Sequence, residues 1–368
     1  MFSAAFSILH YQASAQKYQA QDVLNIIIKT DSTWQATHNY RHDAWWDEAV
    51  YHTGNMEAYR VTGRKEFLDY SIKWAQHNNW CGATQTNKNL WTYKRPLYNN
   101  NNVMFADWQV CFQTYIDLYF IEKDFKKIER CCEVINYQTN LSNLDYWYWC
   151  DALYMAMPVM TRLYKIDKNI TYLRKLYEYV RYTDFVMFDT TENLYYRDFK
   201  YIYPKYKSPN GKKEFWSRGN GWVLAGLARV LSDLPSNFEH YDFFRKKFVD
   251  MANSVIKYQQ REGYWTQNIA DPDEVPGFET SGTALFTYAL AWGVNNKILN
   301  KRTFKPIIQK AWKYLAGTAL QPDYTVGYIQ WIGESAMPNK PVTPQNVTNY
   351  GTGAFLLAAC EYYRMLAN

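Results

Sequence analysis

The feature that most constrains the fold of this chain is a repeated pair of helical segments. Each unit has a helix that usually ends in an aromatic residue, a short polar turn and a second helix. Apolar residues recur at i, i+3, i+4 and i+7 in most windows, and strand-like alternation is rare. Five such units follow one another: 56–63 with 67–72, 115–119 with 125–134, 161–164 with 172–180, 227–231 with 243–258, and 288–292 with 304–315.

The helices at the two ends of this series have no partner within a unit. One covers about 23–30 and the other about 354–366. A repeat of roughly 45–60 residues is typical of a helical array, and a closed ring removes the ends that an open array must cap. If the two unpaired helices pack together, they close a ring of six hairpins. The sequence therefore predicts an all-α (α/α)6 barrel, formed by one domain over 16–368.

Three long connections between the predicted helices are rich in aromatic residues, Asn and Pro: 78–102, 189–215 and 321–348. Loops of this length in a compact domain are usually functional or disordered, and their aromatic content argues against disorder. The chain has 15 Trp and 34 Tyr, residues that combine an apolar face with a polar edge. Such rings fill helical cores and also stack on sugars, so the loops are candidates for a carbohydrate cleft.

Charge and metal-ligand patterns exclude several classes of function. The net charge is +6, but the basic residues are scattered, and no dense Lys/Arg tract suggests a nucleic-acid partner. The six Cys and six His form neither a CxxC pair nor a zinc motif. We expect no metal and no cofactor, and the sequence leaves open whether the protein is a monomer or a homodimer.

Residues 1–15 form a short apolar segment that ends in small residues at Ala15. This ending is typical of the cleavage site of a secretory signal peptide, although no basic residues precede the segment. We expect a signal-peptide remnant and a periplasmic or secreted location, with a cytoplasmic one as the alternative. No segment has the ~20 consecutive apolar residues that a membrane-spanning helix needs, so we expect no membrane partner.

Asp151 is the leading candidate for a catalytic acid. It follows the aromatic run 146–149 and precedes a helical pattern, and Asp107 has the same place before another helix. Aromatic walls and a second carboxylate raise the pKa of such a group, so Asp151 is predicted to be the protonated member of a coupled pair. The alternative interpretation makes both residues helix N-caps, which would lower their pKa.

A second candidate site is the segment 215–222, in which two Trp and an Arg surround a Gly-Asn-Gly turn. Arg218, beside free helix N–H groups, is a candidate receptor for a carboxylate. Trp216 and Trp222 are candidates to sandwich a sugar ring. The alternative is a plain glycine turn with packed indoles.

A third candidate lies at the start of another inner helix, in the segment 45–56. There His52 and Thr53 could reach the mouth of the barrel. A lone His is more often an ordinary core or capping residue.

These segments together resemble the unsaturated glucuronyl and rhamnogalacturonyl hydrolases of glycoside hydrolase families 88 and 105, and family 105 more closely. The similarity runs from about Trp45 to the C-terminus. Its strongest parts are 149–155, 216–222, 279–284 and 350–355. The resemblance implies an (α/α)6 catalytic domain, in agreement with the repeat.

The resemblance also implies a substrate and a mechanism. The substrate would be a lyase-generated oligosaccharide with a 4,5-unsaturated uronic acid at its non-reducing end. A proton goes to C4, water adds at C5, and the resulting hemiketal rearranges and expels the next sugar. By motif position Asp151 would be the general acid/base and Asp107 the second carboxylate. Further family binding positions fall on Trp149, Trp216, Arg218 and Trp222.

Two positions depart from the family pattern. Asn140 and Arg197 stand where many members have His. An extra Arg near the mouth would suit a more acidic, sulfated substrate. Two other classes of function stay open: another (α/α)6 enzyme, either an inverting glycosidase or a sugar epimerase, and a non-catalytic oligosaccharide-binding protein. Dispersed His argue against an epimerase, and the pair of Asp residues argues against a binding protein.

Overall fold

The computed structural model describes residues 18–94, 98–336 and 341–367, and most of them are helical. The α-helices in this part of the chain are α1 Ala20–Thr37, α2 Trp46–Thr62, α3 Lys65–His77, α4 Ala106–Gln109, α5 Cys111–Ile121, α6 Glu129–Thr139, α7 Ala152–Asp167, α8 Ile170–Met187, α9 Ser217–Asp233, α10 Tyr241–Val255, α11 Thr280–Asn295, α12 Lys301–Tyr314 and α13 Asn349–Ala367. A two-stranded antiparallel ribbon pairs β1 Phe188–Asp189 with β2 Leu194–Tyr195. The predicted signal segment 1–15 lies outside the described residues.

The helices form two concentric rings. The inner ring runs α2, α4–α5, α7, α9, α11 and α13, each packed against the next, and α13 packs against α2 to close it. Helices α4 and α5 count as one inner position because only Val110, whose backbone dihedral angles are α-helical, separates them. Outer helices α3, α8, α10 and α12 pack on the inner helices that precede them, and α1 packs on α13. The prediction of an (α/α)6 barrel closed by its first and last helices is confirmed.

Residue patterns explain which helices lie inside. Helix α11 is buried at every position from Thr280 to Val294, as expected for a helix that is surrounded by others. The outer helix α3 buries one stripe that includes Phe67, Tyr70 and Trp74 and leaves its other face polar. An inner helix is therefore buried on all of its faces, whereas an outer helix buries only one stripe of residues.

The closing seam of the inner ring depends on two glycines. A Cβ atom at Gly54 of α2 would collide with the backbone of Gly353 in α13. A Cβ at Gly353 would lie 2.6 Å from the carbonyl oxygen of Val50 and 2.7 Å from the Cα of Tyr51. The two backbones therefore approach more closely than any side chain would allow.

The inner helices all begin at one end of the barrel, which the long loops cover. Asn349, at the start of α13, donates to Asp47 and Glu48 at the start of α2, at 2.9 and 3.0 Å. Arg218, at the start of α9, donates to the carbonyl oxygens of Gln330 and Trp331 in the loop before α13. This end is called the mouth below. Among the described helices, none is both long and apolar enough to cross a membrane.

Candidate active site

Asp107 and Asp151 both lie at the mouth, on neighbouring inner helices. Asp107 is in the first turn of α4, after the N-cap residue Phe105. Asp151 directly precedes α7, but its side chain makes no capping hydrogen bond. The N-cap interpretation is thus wrong for Asp107. Asp151 does occupy the N-cap position of α7, but its side chain does not make the capping hydrogen bond. Each carboxylate is left available for another role, and the charge of Asp151 acts directly on Asp107.

Burial and nearby charges both shift the pKa values of the two carboxyl groups. Burial raises the pKa of Asp107 well above its usual range, and the negative charge of Asp151 raises it further. Burial also raises the pKa of Asp151, but Arg197 and Arg218 oppose this effect. The two cations therefore favour the ionised form of Asp151, and Arg197 also lowers the pKa of Asp107, while burial keeps the pKa of both carboxyl groups above its ordinary value. That Asp151 is the protonated member of the pair stays a prediction.

Arg197 lies beside Asp151 because the segment 215–222 holds the strand that precedes it. The Asn220 side chain accepts a hydrogen bond from the backbone N–H of Tyr195 and donates one to its carbonyl oxygen, at 2.8 and 2.9 Å. Two residues later, the Arg197 Nε lies 3.9 Å from Asp151 Oδ2, while its Nη1 donates to Asp198 at 2.6 Å. The Asn of the glycine turn thus positions a cation against the catalytic candidate.

The Cys150 thiol also contacts Asp151. Its Sγ lies 3.5 Å from Asp151 Oδ2, and burial keeps the pKa of the thiol well above its usual range, so it remains a donor. A Cβ atom at Gly219 would lie 2.9 Å from this Sγ and 2.8 Å from the Trp216 ring. Glycine is therefore required where α9 passes the acid.

The three predicted Trp ligands are packed into the protein. Trp149 is 3% exposed and stacks on Phe105 with ring centroids 4.4 Å apart. Trp216 and Trp222 are fully buried, the latter against Tyr154 at 4.8 Å. The prediction that these two indoles sandwich a sugar ring is therefore wrong. They are packed, as the alternative interpretation had it.

Arg218 holds a loop in this structure. It is 1% exposed, and it donates to the carbonyl oxygens of Gln330 and Trp331 at 2.8 and 2.9 Å. Its guanidinium also lies 4.6 Å from the centre of the Trp216 ring. Its charge still acts on Asp151, whereas its role as a carboxylate receptor stays a prediction.

His52 and Thr53 do not reach the mouth, which corrects the third candidate. His52 points outward to α3, where its Nδ1 lies 2.8 Å from Ser71 Oγ and its ring stacks on Trp74 at 3.9 Å. Burial lowers its pKa well below the usual range. The Thr53 hydroxyl is 2.8 Å from the Tyr154 hydroxyl inside the inner ring. The helix that contains His52 and Thr53 was predicted correctly, but their distance from the mouth was not.

Sequence reasoning missed the residues that the long loops bring to the mouth. Gln330 accepts from the Trp216 indole at 2.7 Å and, through its carbonyl oxygen, from the Tyr350 hydroxyl at 2.6 Å. Next to it, Trp331 is 61% exposed. Trp331 could have been found from the sequence, because it is an aromatic residue within a long polar loop.

A cavity of about 380 Å³ opens on the same end of the barrel. Its wall includes Asp47, Trp331 and Tyr350. The negative charge of Asp47 also raises the pKa of Asp107, so one residue of the cavity wall acts electrostatically on the carboxylate pair. Among the described residues, no cluster of three His, Cys, Asp or Glu could hold a metal ion.

A closed (α/α)6 barrel with two interacting carboxylates at its mouth, flanked by arginines and aromatic rings, has the architecture of a carbohydrate-active hydrolase. The family model described as Glycosyl Hydrolase Family 88 matches residues 13–366. The chain therefore belongs to glycosyl hydrolase family 88 and is a glycoside hydrolase.

Known relatives cover nearly the whole chain. A protein of Formosa agariphila described as an unsaturated 3S-rhamnoglycuronyl hydrolase is 32% identical over 333 residues, which are 87% of this chain and 84% of the relative. A solved structure described as glycosyl hydrolase family 88 from Bacteroides vulgatus is 50% identical, with a TM-score of 0.92 over 95% of this chain and 100% of the other. Another, described as a polysaccharide lyase, is 52% identical, with a TM-score of 0.92 over 95% and 98%.

Proposed function

We propose that the protein is an exo-acting unsaturated uronyl hydrolase. It removes a 4,5-unsaturated uronic acid from the non-reducing end of lyase-generated oligosaccharides by hydrating the C4=C5 bond. The observation that supports this most directly is the buried pair Asp107 and Asp151, with Arg197 and Arg218 acting on the second. Such a pair can hold one proton, and the adjacent cations suit a substrate that carries a carboxylate.

In the proposed reaction Asp151 donates its proton to C4, and positive charge develops at C5 and the ring oxygen. A water molecule attacks C5 and returns a proton to the Asp151 carboxylate. The hemiketal opens to a ketone at C5, which leaves a hydroxyl group on the former ring oxygen at C1. This C1 hemiacetal collapses to an aldehyde, its hydroxyl proton passes to the glycosidic oxygen, and the neighbouring sugar leaves as an alcohol, so that one water is consumed. Asp151 thus acts first as acid and then as base.

In the free protein Arg197 and Arg218 favour the ionised form of Asp151, so substrate binding has to favour its protonated form. We infer that the uronate carboxylate supplies the change. A negative charge beside Arg197 and Arg218 offsets their effect on Asp151 and thereby raises its pKa. Asp107, whose pKa burial already raises, is the proton's source, and it recovers the proton when Asp151 is ionised again. Substrate binding therefore favours the protonated form of Asp151, which then acts as the general acid.

The substrate of the Formosa relative suggests the leaving sugar. That protein is described as acting on a rhamnoglycuronyl unit, and we propose the same class of substrate for this chain. The exposed Trp331 and the adjoining cavity of about 380 Å³ offer an aromatic surface and room for that second sugar.

A polysaccharide lyase is the second candidate, because one relative at 52% identity carries that description. The two reactions change the same chromophore in opposite directions. A lyase creates the conjugated alkene and raises the ultraviolet absorbance of a polymer solution. A hydrolase of the proposed kind consumes the alkene and lowers the absorbance of a lyase digest.

The test follows the alkene absorbance after adding the protein to lyase digests of rhamnose- and uronate-containing polysaccharides. We expect a loss of absorbance together with release of the neighbouring sugar. Asp151→Asn should abolish the loss while leaving the circular dichroism spectrum unchanged. Asp167→Asn, at the exposed far end of the same helix, is the matched control and should retain full activity. Turnover by the Asp151 variant, or a rise in absorbance on intact polymer, would overturn the proposal.

A further inference from the structure

A separate cavity of about 410 Å³ lies at the end of the barrel opposite the mouth. It is called the basal cavity here. Each of the six inner positions contributes to its wall near the end of its helix, through residues that include Glu57, Asp117, Arg162, Arg229, Tyr288 and Glu361. None of them belongs to the proposed catalytic machinery.

The carboxylates of the basal cavity are all paired with cations. Asp117 contacts Arg60 and Arg162 at 2.6 and 2.5 Å. Glu57 contacts Arg364 at 2.8 Å, and Glu361 also pairs with Arg364.

Asp233, the fourth carboxylate of the wall, contacts Lys165 at 2.8 Å and Arg162 at 3.4 Å. The acidic side of this wall is therefore neutralised by its own neighbours.

Arg229 is the exception among the cations of the wall. It is 3% exposed, and its Nε donates to Gln113 Oε1 at 2.8 Å. Within the described residues it forms no ion pair, and its buried Nη2 has no hydrogen-bond partner. A buried guanidinium with an unused donor needs an explanation, because nearly all such groups are satisfied.

Two further features of the wall suit an organic ligand. Tyr288 is 4% exposed and lines the same cavity, and burial raises the pKa of its hydroxyl, which therefore stays a donor. Phe120 and Trp292 add apolar surface. The volume also far exceeds the ~30 Å³ of a water molecule.

We propose that the basal cavity binds a small organic acid, whose carboxylate pairs with the Arg229 guanidinium and accepts a hydrogen bond from Tyr288. The planar fork of an arginine matches a carboxylate with two parallel hydrogen bonds. The ligand's apolar part lies against the Phe120 and Trp292 rings. This site is separate from the mouth and is independent of the proposed hydrolysis.

The test is calorimetric titration of the full chain with sodium acetate, with sodium chloride at the same ionic strength as the reference. We expect saturable acetate binding that chloride does not reproduce. Arg229→Gln should weaken it by about tenfold or more, as loss of a charge-assisted pair predicts. Lys165→Gln removes a charge from the exposed rim of the same cavity and should change it by less than about twofold.

A second variant covers the case in which Arg229→Gln does not fold. Tyr288→Phe keeps the ring and removes only the hydroxyl, so the barrel should be unaffected. It should weaken acetate binding by about threefold, the loss of one modest hydrogen bond. Equal binding of chloride and acetate, or unchanged acetate affinity in the Arg229 or Tyr288 variant, would overturn the proposal. Hydrolytic activity does not enter this readout.

Discussion

Arg197 acts on Asp151 through its charge, while its shortest hydrogen bond goes elsewhere. Its Nη1 donates to Asp198 at 2.6 Å, and its Nε is 3.9 Å from Asp151 Oδ2. Removing the charge with Arg197→Gln should raise the pKa of Asp151. If Asp151 is the general acid, the alkaline limb of kcat/KM should move up by about 1 pH unit.

Lys200→Gln is the matched control, because Lys200 is half exposed in the same loop and its ion pair with Glu334 is long, 3.9 Å. It should leave the pH profile unchanged. Comparing kcat/KM on sulfated and plain disaccharides tests the predicted role of Arg197 in binding a sulfated substrate. If Arg197→Ala leaves kcat/KM unchanged on both substrates, Arg197 contributes neither to sulfate binding nor to the acid.

Cys150 offers a subtler test of the same acid. Its thiol donates to Asp151 Oδ2 at 3.5 Å and thereby lowers the pKa of the carboxyl group. Cys150→Ala should move the alkaline limb of kcat/KM to higher pH, whereas Cys150→Ser keeps a donor and should stay near the wild-type profile. Coincident profiles for the Ala and wild-type enzymes would show that the thiol has no influence on proton transfer.

At the scale of helices, the seam between α2 and α13 is the most constrained contact. A Cβ at Gly353 would lie 2.6 Å from the Val50 carbonyl oxygen, a backbone atom that cannot rotate away. Gly353→Ala should lower the free energy of unfolding by about 1–3 kcal/mol, as overpacking typically does. Chemical denaturation measures it.

Gly317→Ala is the control for this seam, because the nearest atom to its Cβ, the Tyr18 hydroxyl oxygen, would be 3.9 Å away. We expect a change of less than about 0.5 kcal/mol there. Equal stability of the Gly353 variant and wild type would mean that the two helices can separate without cost.

Helix pairs were predictable from sequence because their signal is local. The apolar period of five hairpins appears within each segment, and α2–α3 to α11–α12 follow it. The two end helices were predicted too short, since α13 begins at Asn349 and α1 extends to Thr37. Ends depend on caps and neighbours more than on period. Depth along a helix was equally hidden, which is why His52 was misplaced.

The mouth was less predictable than the barrel because its contacts join distant parts of the chain. Arg218 and Gln330 are 112 residues apart, and no spacing rule connects an arginine to a carbonyl oxygen in another loop. The charges that act on the carboxylate pair were hidden for the same reason. The aromatic run before Asp151 was visible in the sequence, whereas the approach of Arg197 depends on Asn220 holding Tyr195. Local pattern therefore predicts the scaffold, and non-local contacts set the electrostatics of the site.

For the whole molecule, buried carboxyl groups should make stability depend on pH. Burial raises the pKa of Asp31, Glu48 and Glu214 to about 7 in each case. Between the ordinary carboxyl pKa and about 7, the folded chain holds protons that the unfolded chain has released. Stability is therefore fully present below that range and falls as the pH rises through it. We expect a lower Tm at about pH 8 than at about pH 5.

Asp31 allows this to be tested at one position. It is fully buried, and Tyr51 donates to its Oδ1 at 2.6 Å. Asp31→Asn retains an acceptor and removes the charge, so it should raise the Tm at about pH 8 and have little effect at about pH 5. Asp69→Asn, at a partly exposed surface ion pair, should shift the Tm little at either pH. An Asp31 variant with the same pH slope as wild type would mean that other groups carry the whole effect.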